Sequence, residues 1–396
     1  MFSTVIRRAN DSFLYNWATT LLQNLDAKNV TSHYVGYGQC TLEENIILFP
    51  KAGNVIVFCF DYILDKTRND IINKVNEDKN LKVVWVGAEK NAFDHERIKC
   101  VYWPADLLLQ NDIYKTFDKI EKEPSPSTHW ISTSLGIRPH RIYMASLLKG
   151  LGLDKYGDLR IKTISSGTKK SALVSDALAA GNGNAPDGIP TLSLYVKDKW
   201  KLADGIDHIS AESSKGYQEL IKRNWWGSSI FLYSQYLALG WNENNNALNF
   251  DKHLRYLYRD KTLEVVNETM HGHNPVFVTE KFMNAVIGLN LVIMNGPAGT
   301  VKLLEELGWN SCRHVVNHDY DDIADPIMRC EKAIRLNFKL FSDPEHCNKL
   351  WHNNIEILKS NSDWARNHLY HKILKSCELE VKKLAQTLGY SKINLS

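Results

Sequence analysis

The chain has 396 residues, with 48 Lys and Arg against 45 Asp and Glu, a net charge of +3, and 44% hydrophobic content. That much apolar material closes a sizeable core, which excludes bulk disorder, collagen-like repeats and disulfide miniproteins; at roughly 150 residues per domain it predicts two domains, or three. The slight cationic excess fits an enzyme handling anionic ligands and is too small to mark a nucleic-acid binder.

The first 120 or so residues alternate short apolar runs with amphipathic stretches. Val30 to Tyr37, Ile46 to Phe49, Val55 to Phe60, Leu81 to Val86 and Ile98 to Trp103 read as strands. NVIVFCF and LKVVWVG are continuously apolar, as strands covered on both faces are. Between them LDKTRNDIINKVNEDKN reads as a charged helix with Ile71, Ile72 and Val75 on one face. Strand, helix, strand at this spacing is a βαβ unit, so a parallel sheet is expected. A second helix is expected from roughly Asp106 to Lys122.

Glu121-Lys-Glu-Pro-Ser-Pro-Ser-Thr128 follows, with two prolines among small polar residues. It reads as an interdomain linker, the alternative being a surface loop within one domain. Alternation then resumes with a strand at Trp130–Ser134 and a helix from Pro139 to Lys149, where Pro139 suits the first turn and Gly150 the C-cap. Ala179 to Pro190 is a loop by composition.

Leu263 to Val266 is a short strand with Asn267-Glu268-Thr269 at its carboxyl end. After the loop MHGHNPVF, Val278-Thr279-Glu280-Lys281 opens a helix with Phe282, Ala285, Val286 and Leu289 at helical spacing. Leu291 to Met294 is a buried strand, and Asn295-Gly296-Pro-Ala-Gly-Thr300 turns into the helix VKLLEEL, stopped by Gly308. Past about Asp343 the chain reads as helices.

Glycine turns and helix N-termini after parallel strands offer free N–H groups to phosphate. Glu280 can take ribose hydroxyls and Lys281 can neutralise a pyrophosphate; alternatively, Glu280 only complements the helix dipole and Lys281 is solvated. Ser132 to Arg141 brings Arg138, His140 and Arg141 to another strand–helix junction, where one arginine suits bidentate phosphate contact and the other pairs locally. His271 and His273 have metal-ligand spacing but no third ligand, and Trp225-Trp226-Gly227 reads as packing. The run His253 to Lys261 reads as a solvated helix face.

The seven cysteines, Cys40, Cys59, Cys100, Cys312, Cys330, Cys347 and Cys377, form no CxxC pair, which predicts free thiols in a reducing compartment. No run of about 18 apolar residues predicts a membrane span. The N-terminal segment is broken by charge before a signal-peptide core could form.

VTEK with its following helix and strand, and WISTSLGIRPHRIYMASLLKGLGLDKYG, resemble the alpha-1,3-fucosyltransferase family. With GPAGTVKLLEELGWN and YDDIADPIMR, the chain also resembles fucosyltransferase-like proteins of bacteriophages and large viruses, over roughly Ser132 to Arg335. Val-Asn-Glu-Thr stands where the family has Phe-Glu-Asn-Ser. The resemblance implies an α/β GT-B architecture of two Rossmann-like domains facing a cleft. An N-terminal acceptor-binding domain would span 1–122, a nucleotide-sugar-binding domain 129–342, and helices at 343–396 would pack back on the core.

Carried over, the resemblance puts Arg138, Arg141, Asn267, Glu268, Thr269, Thr279, Glu280, Lys281 and Gly296 at a nucleotide-sugar donor. Within that set Arg141 and Lys281 meet phosphate and Glu280 the ribose. Catalysis would be inverting, without an obligatory metal or other cofactor. Glu89, just past the strand at Leu81–Val86, would be the general base, with Asp94 and Asp106 as competitors. The implied setting is cytoplasmic, with no membrane partner. The acceptor would be a hydroxymethylated base, 5-hydroxymethylcytosine, in phage DNA. The alternatives are a surface glycan as acceptor, or a non-catalytic nucleotide-sugar-binding protein of the same fold.

Overall fold

The computed structural model describes residues 30–35, 54–59, 63, 65–104, 107, 120–134, 139–161, 209–222, 255, 257–268, 271 and 275–387. Arg138, Thr269, His273, Asp106 and Cys40 lie outside them, as do the strand expected at Ile46–Phe49, most of the helix expected from Asp106 to Lys122, the loop Ala179–Pro190 and Trp225–Gly227. The chain divides into two compact units. Unit 1 comprises Met1–Leu109, Pro275–Glu280 and His368–Ser396; unit 2 comprises Gln110–Asn274 and Lys281–Asn367.

Unit 1 holds a four-stranded sheet, β1 (Val30–Val35), β2 (Asn54–Cys59), β3 (Lys82–Gly87) and β4 (Ile98–Tyr102), parallel throughout and in chain order. Helix α1 (Asp65–Glu77) makes the crossover from β2 to β3. Its apolar stripe is the one expected: Ile71 and Val75 are buried and Ile72 is half-buried against the same cluster as Val83 and Trp85. Trp85 meets Phe93 edge-on at 4.9 Å between ring centroids, a geometry that adds to the area both rings remove from water.

Unit 2 holds a second parallel sheet of β5 (Trp130–Ser134), β6 (Gly157–Ile161), β7 (Leu263–Asn267) and β8 (Leu291–Asn295), in the spatial order β6-β5-β7-β8. Every residue of β7 and β8 is buried, including Glu264, Asn267 and Asn295 among their apolar neighbours. Helix α2 (Pro139–Gly150) follows β5, α3 (Ala211–Lys222) crosses it, and α4 (Glu280–Ile287) precedes β8. Then come α5 (Thr300–Glu306), α6 (Pro326–Arg335), α7 (Phe338–Ser342), α8 (Pro344–Asn353) and α9 (Ile355–Asp363). A π-helical turn at Trp364–His368 leads to α10 (Leu369–Thr387), which packs on β4 in unit 1. The helices expected past Asp343 are therefore shared, those before Asn367 with unit 2 and those after with unit 1.

Three local expectations change. Gly150 is the last residue of α2, where a Cβ would lie 1.7 Å from the Glu212 carbonyl oxygen; the left-handed turn that ends the helix falls on Gly152, at φ +69°. Close helix approach, rather than capping, demands the glycine there. The segment expected as a linker is stitched into unit 2: Lys122 Nζ donates to Asn290 Oδ1 at 2.8 Å, Asn348 Nδ2 to the Ser125 carbonyl at 2.8 Å, and the Glu123 amide to the Arg259 carbonyl at 2.8 Å. Within the expected solvated run, Lys261 is 2% exposed, with Nζ 3.2 Å from Asp158, 3.0 Å from Asp260 and 2.8 Å from the Thr128 carbonyl. Pro-Ser composition looks like a linker until neighbouring loops supply partners for its backbone.

The cysteines Cys59, Cys100, Cys312, Cys330, Cys347 and Cys377 are free thiols. Among the described residues no helix is long and apolar enough to cross a membrane.

Candidate functional site

In unit 2 the chain runs from β5 outward to β6, then returns to place β7 on the other side of β5. The strand order thus reverses between β5 and β7. In open parallel sheets, ligands are held beyond the carboxyl ends of the strands at such a reversal, where successive loops part in opposite directions.

A buried polar ladder crosses the sheet at this end. Asn267, the last residue of β7, donates through Nδ2 to Ser132 Oγ on β5 at 2.7 Å and accepts from Asn295 Nδ2 on β8 at 2.6 Å. Register makes this possible, because Asn267 and Asn295 are direct partners in the ladder. Cys330 on α6 continues the line, its thiol 3.1 Å from Asn295 Oδ1 and 3.6 Å from His271 Nε2. Satisfied amides at this depth fix the strand ends relative to one another.

The first turn of α2 clamps the loop after β7. His140 Nε2 donates to the Glu268 carbonyl at 2.8 Å, and one amino group of Arg141 donates to the Asn267 carbonyl at 3.2 Å and the Glu268 carbonyl at 2.9 Å. Arg141 is 4% exposed, so this part of its guanidinium is spent on the protein's own backbone. His271 stacks flat on His140, with centroids 4.7 Å apart and planes 6° apart. Burial, with the His140 and Arg329 charges, pushes His271 well below the usual histidine range, so it is a neutral ring. Burial raises the Cys330 thiol to about 12, which leaves it no thiolate character at neutral pH. Among the described residues no three His, Cys, Asp or Glu side chains gather as metal ligands.

The glycine turn after β8 closes the cluster. Arg329 Nε donates to the Gly296 carbonyl at 3.0 Å, and a Cβ on Gly296 would stand 3.4 Å from Glu268 Cγ. The two amides expected to greet a phosphate at the start of α5 are already engaged. Val301 N and Lys302 N each donate at 3.0 Å to the two carboxylate oxygens of Asp321. The helix end is thereby satisfied from within, as an orphan N-terminus requires.

Of the residues singled out in the sequence, Arg141, Asn267, Glu268 and Gly296 come together at this edge. Thr279 is buried, Glu280 and Lys281 are half-buried, and the boundary between the two units falls between the last two. Ser132, His140, Asn295, Asp321, Arg329 and Cys330 belong to the cluster too. Of these, Ser132 and His140 carried a sequence signal through their place at the β5–α2 junction and Asn295 through the glycine turn, while Asp321 and Arg329 lay in the stretch YDDIADPIMR without an assigned role.

Glu89 lies in unit 1, two residues beyond the carboxyl end of β3. It is 2% exposed; Oε1 accepts the Ile63 amide at 3.0 Å and Oε2 the Arg68 guanidinium at 2.9 Å. Asp94, one of its competitors, is exposed. The Lys90 amide, next in the chain, donates to the Val276 carbonyl at 3.1 Å, which ties the Glu89 loop to the Pro275–Glu280 segment of the same unit.

No protein family, no curated protein and no solved structure matches the chain.

Proposed function

We propose that the chain is an inverting glycosyltransferase of GT-B type that moves a sugar from a nucleotide-sugar donor to an acceptor hydroxyl. The observation that carries this reading is the meeting of Arg141, Asn267, Glu268 and Gly296 at the switch point of a parallel sheet, the place where such folds hold nucleotides. The tie between the Glu89 loop and Val276, three residues before Thr279, adds to it, because Glu89 and the Thr279–Glu280 stretch then belong to one unit.

In this reading Glu89 takes the proton from the acceptor hydroxyl as its oxygen attacks the anomeric carbon from the face opposite the leaving group. The bond from the anomeric carbon to the phosphate oxygen breaks, and the charge released on the nucleoside diphosphate is met by Arg141, Arg138 and Lys281. Glu280 holds the ribose, and Thr279 belongs to the donor-binding set. Arg68 and the Ile63 amide hold the carboxylate of Glu89 in one orientation. The acceptor is 5-hydroxymethylcytosine in phage DNA, modified in the host cytoplasm. The hold of Arg141 on two backbone carbonyls favours a second reading, a nucleotide-sugar-binding protein without turnover.

The test mixes the protein with a panel of UDP-, GDP- and dTDP-sugars and either hydroxymethylated duplex or oligosaccharides, and reads acceptor mass. A hexose or pentose increment on DNA supports the reading, and an increment on glycan changes the acceptor. Donor binding without any increment selects the second reading. Glu89→Gln is expected to abolish transfer while leaving donor affinity intact; unchanged turnover removes Glu89 from the base role.

A further inference from the structure

Unit 1 carries a concavity at the amino ends of β3 and β4, the opposite end of the sheet from Glu89. It has a volume of about 180 Å³ and is lined by Lys82, Val83, Glu96, Arg97 and Lys99, with Leu384 of α10 among its walls. That is about six water volumes, room for a phosphate and part of the group that bears it.

Three cations face one carboxylate here. Lys82 and Lys99 are exposed, and among the described residues neither they nor Arg97 forms an ion pair. A surface serving only solubility intersperses the two signs, because like charges around a small hollow repel one another. A hollow with three cations to one carboxylate keeps a net positive field for an incoming anion, and the apolar walls from Val83 and Leu384 strengthen that field by displacing water.

The arginine is also held in place before any ligand arrives. Its Nη1 donates to the Asp78 carbonyl at 2.7 Å, and its carbonyl accepts the Val83 amide at 2.9 Å. Its own amide donates to His95 Nδ1 at 3.1 Å. Since Nδ1 accepts, the ring hydrogen sits on Nε2, which donates to Asn76 Oδ1 at 3.1 Å. One tautomer of His95 thus braces the loop that presents Arg97. The remaining nitrogens of its planar fork suit two oxygens of a phosphate.

We propose that this pocket binds a phosphate group, either free in a small molecule or within a nucleic-acid backbone. The inference stands apart from the proposed transfer reaction and does not need it.

The test uses the full chain at low ionic strength with two probes, inorganic pyrophosphate by titration calorimetry and a 20-bp duplex by fluorescence anisotropy. The variant is Lys82→Glu/Lys99→Glu. The control is Lys332→Glu/Lys339→Glu, two exposed positions of unit 2 that change net charge equally. Pyrophosphate is expected to bind the wild type and the control alike and the pocket variant about tenfold or more weakly. If the natural phosphate is in a nucleic-acid backbone, pyrophosphate also displaces the duplex, and the log–log salt slope of duplex binding falls by about 2 in the pocket variant. Pyrophosphate binding without duplex binding assigns a free phosphate ligand. No pyrophosphate binding to the wild type, or equal weakening in the two double variants, overturns the proposal.

Discussion

Gly216 on α3 is the residue at which helix propensity and tertiary packing make opposite predictions. On an isolated helix, alanine in its place would add about 1 kcal/mol. In the structure its Cβ would lie 1.8 Å from the Ser146 carbonyl oxygen and 2.5 Å from the Gly150 amide nitrogen, both backbone atoms of α2 that no rotamer change can move. Ordinary contact begins at 3.4 Å, so α2 and α3 must part by about 1.6 Å. A gap of that size forfeits half or more of the dispersion energy at the crossing, where Tyr217, Leu220 and Leu147 are buried. We expect a loss of about 3 kcal/mol, reduced by the propensity gain to a net of about 2 kcal/mol, or a thermal midpoint roughly 4–8 °C lower. Because α2 also carries His140 and Arg141, nucleotide-sugar affinity should fall with it. Circular-dichroism melts and a donor titration on Gly216→Ala would show both. A variant as stable as the wild type, or more so, would refute the argument that close backbone approach sets this crossing.

Glu331 accepts from Tyr143 Oη at 2.6 Å, Ser210 Oγ at 2.6 Å and Ser213 Oγ at 3.0 Å, so Glu331→Ala should cost about 3 kcal/mol by orphaning those hydroxyls, as measured by denaturant titration. Burial alone would raise its carboxyl, but the bonds from Ser210, Tyr143 and Arg335 hold it below the usual range; its contribution is therefore complete above pH 4.5 and is lost as pH falls through the lowered value. Glu264 is the reverse case: burial lifts it to about 8, against an ordinary 4.5, so the folded state keeps a proton that the unfolded chain releases. Stability should decline as pH rises from about 4.5 to 8, and Glu264→Gln should flatten that decline in melts at pH 5 and pH 8; a slope that persists would exonerate Glu264. Asp321→Ala should cost about 1–2 kcal/mol and speed hydrogen exchange at the Val301 and Lys302 amides, which it now caps.

What the sequence made legible is what local pattern encodes. The strand at Leu291–Met294 was readable because an apolar run without polar breaks suits a strand covered on both faces, and it is buried as that requires; those at Trp130–Ser134 and Leu263–Val266 were readable although Ser132, Thr133 and Glu264 interrupt their apolar pattern. That Arg141, Asn267 and Glu268 meet at one edge of the sheet was readable because each lies where a strand ends or the following helix begins. Asp321 was not, since the helix it caps starts some twenty residues earlier and the loop between has no periodicity. Nor was the Ser132–Asn267–Asn295 ladder, whose members are brought together by strand order and register alone. Gly150 looked like a cap because glycine after a helical run usually is one; its actual neighbour, the Glu212 carbonyl, is 62 positions away.

The division of the chain bears on how it is made. Unit 1 takes its last helix from beyond His368, and that helix packs on β4. During synthesis the strands of unit 1 leave the ribosome before unit 2, yet they wait for the helix beyond His368 before β4 is covered. All of unit 2 has emerged by then. Unit 1 is thus begun before unit 2 and completed after it, and loss of Leu369–Thr387 would leave β4 without its helix while unit 2 kept every residue it owns. A single cut after Leu109 would separate the sheet of unit 1 from its own later segments, so two co-expressed fragments, rather than either alone, are what such a cut would have to reunite.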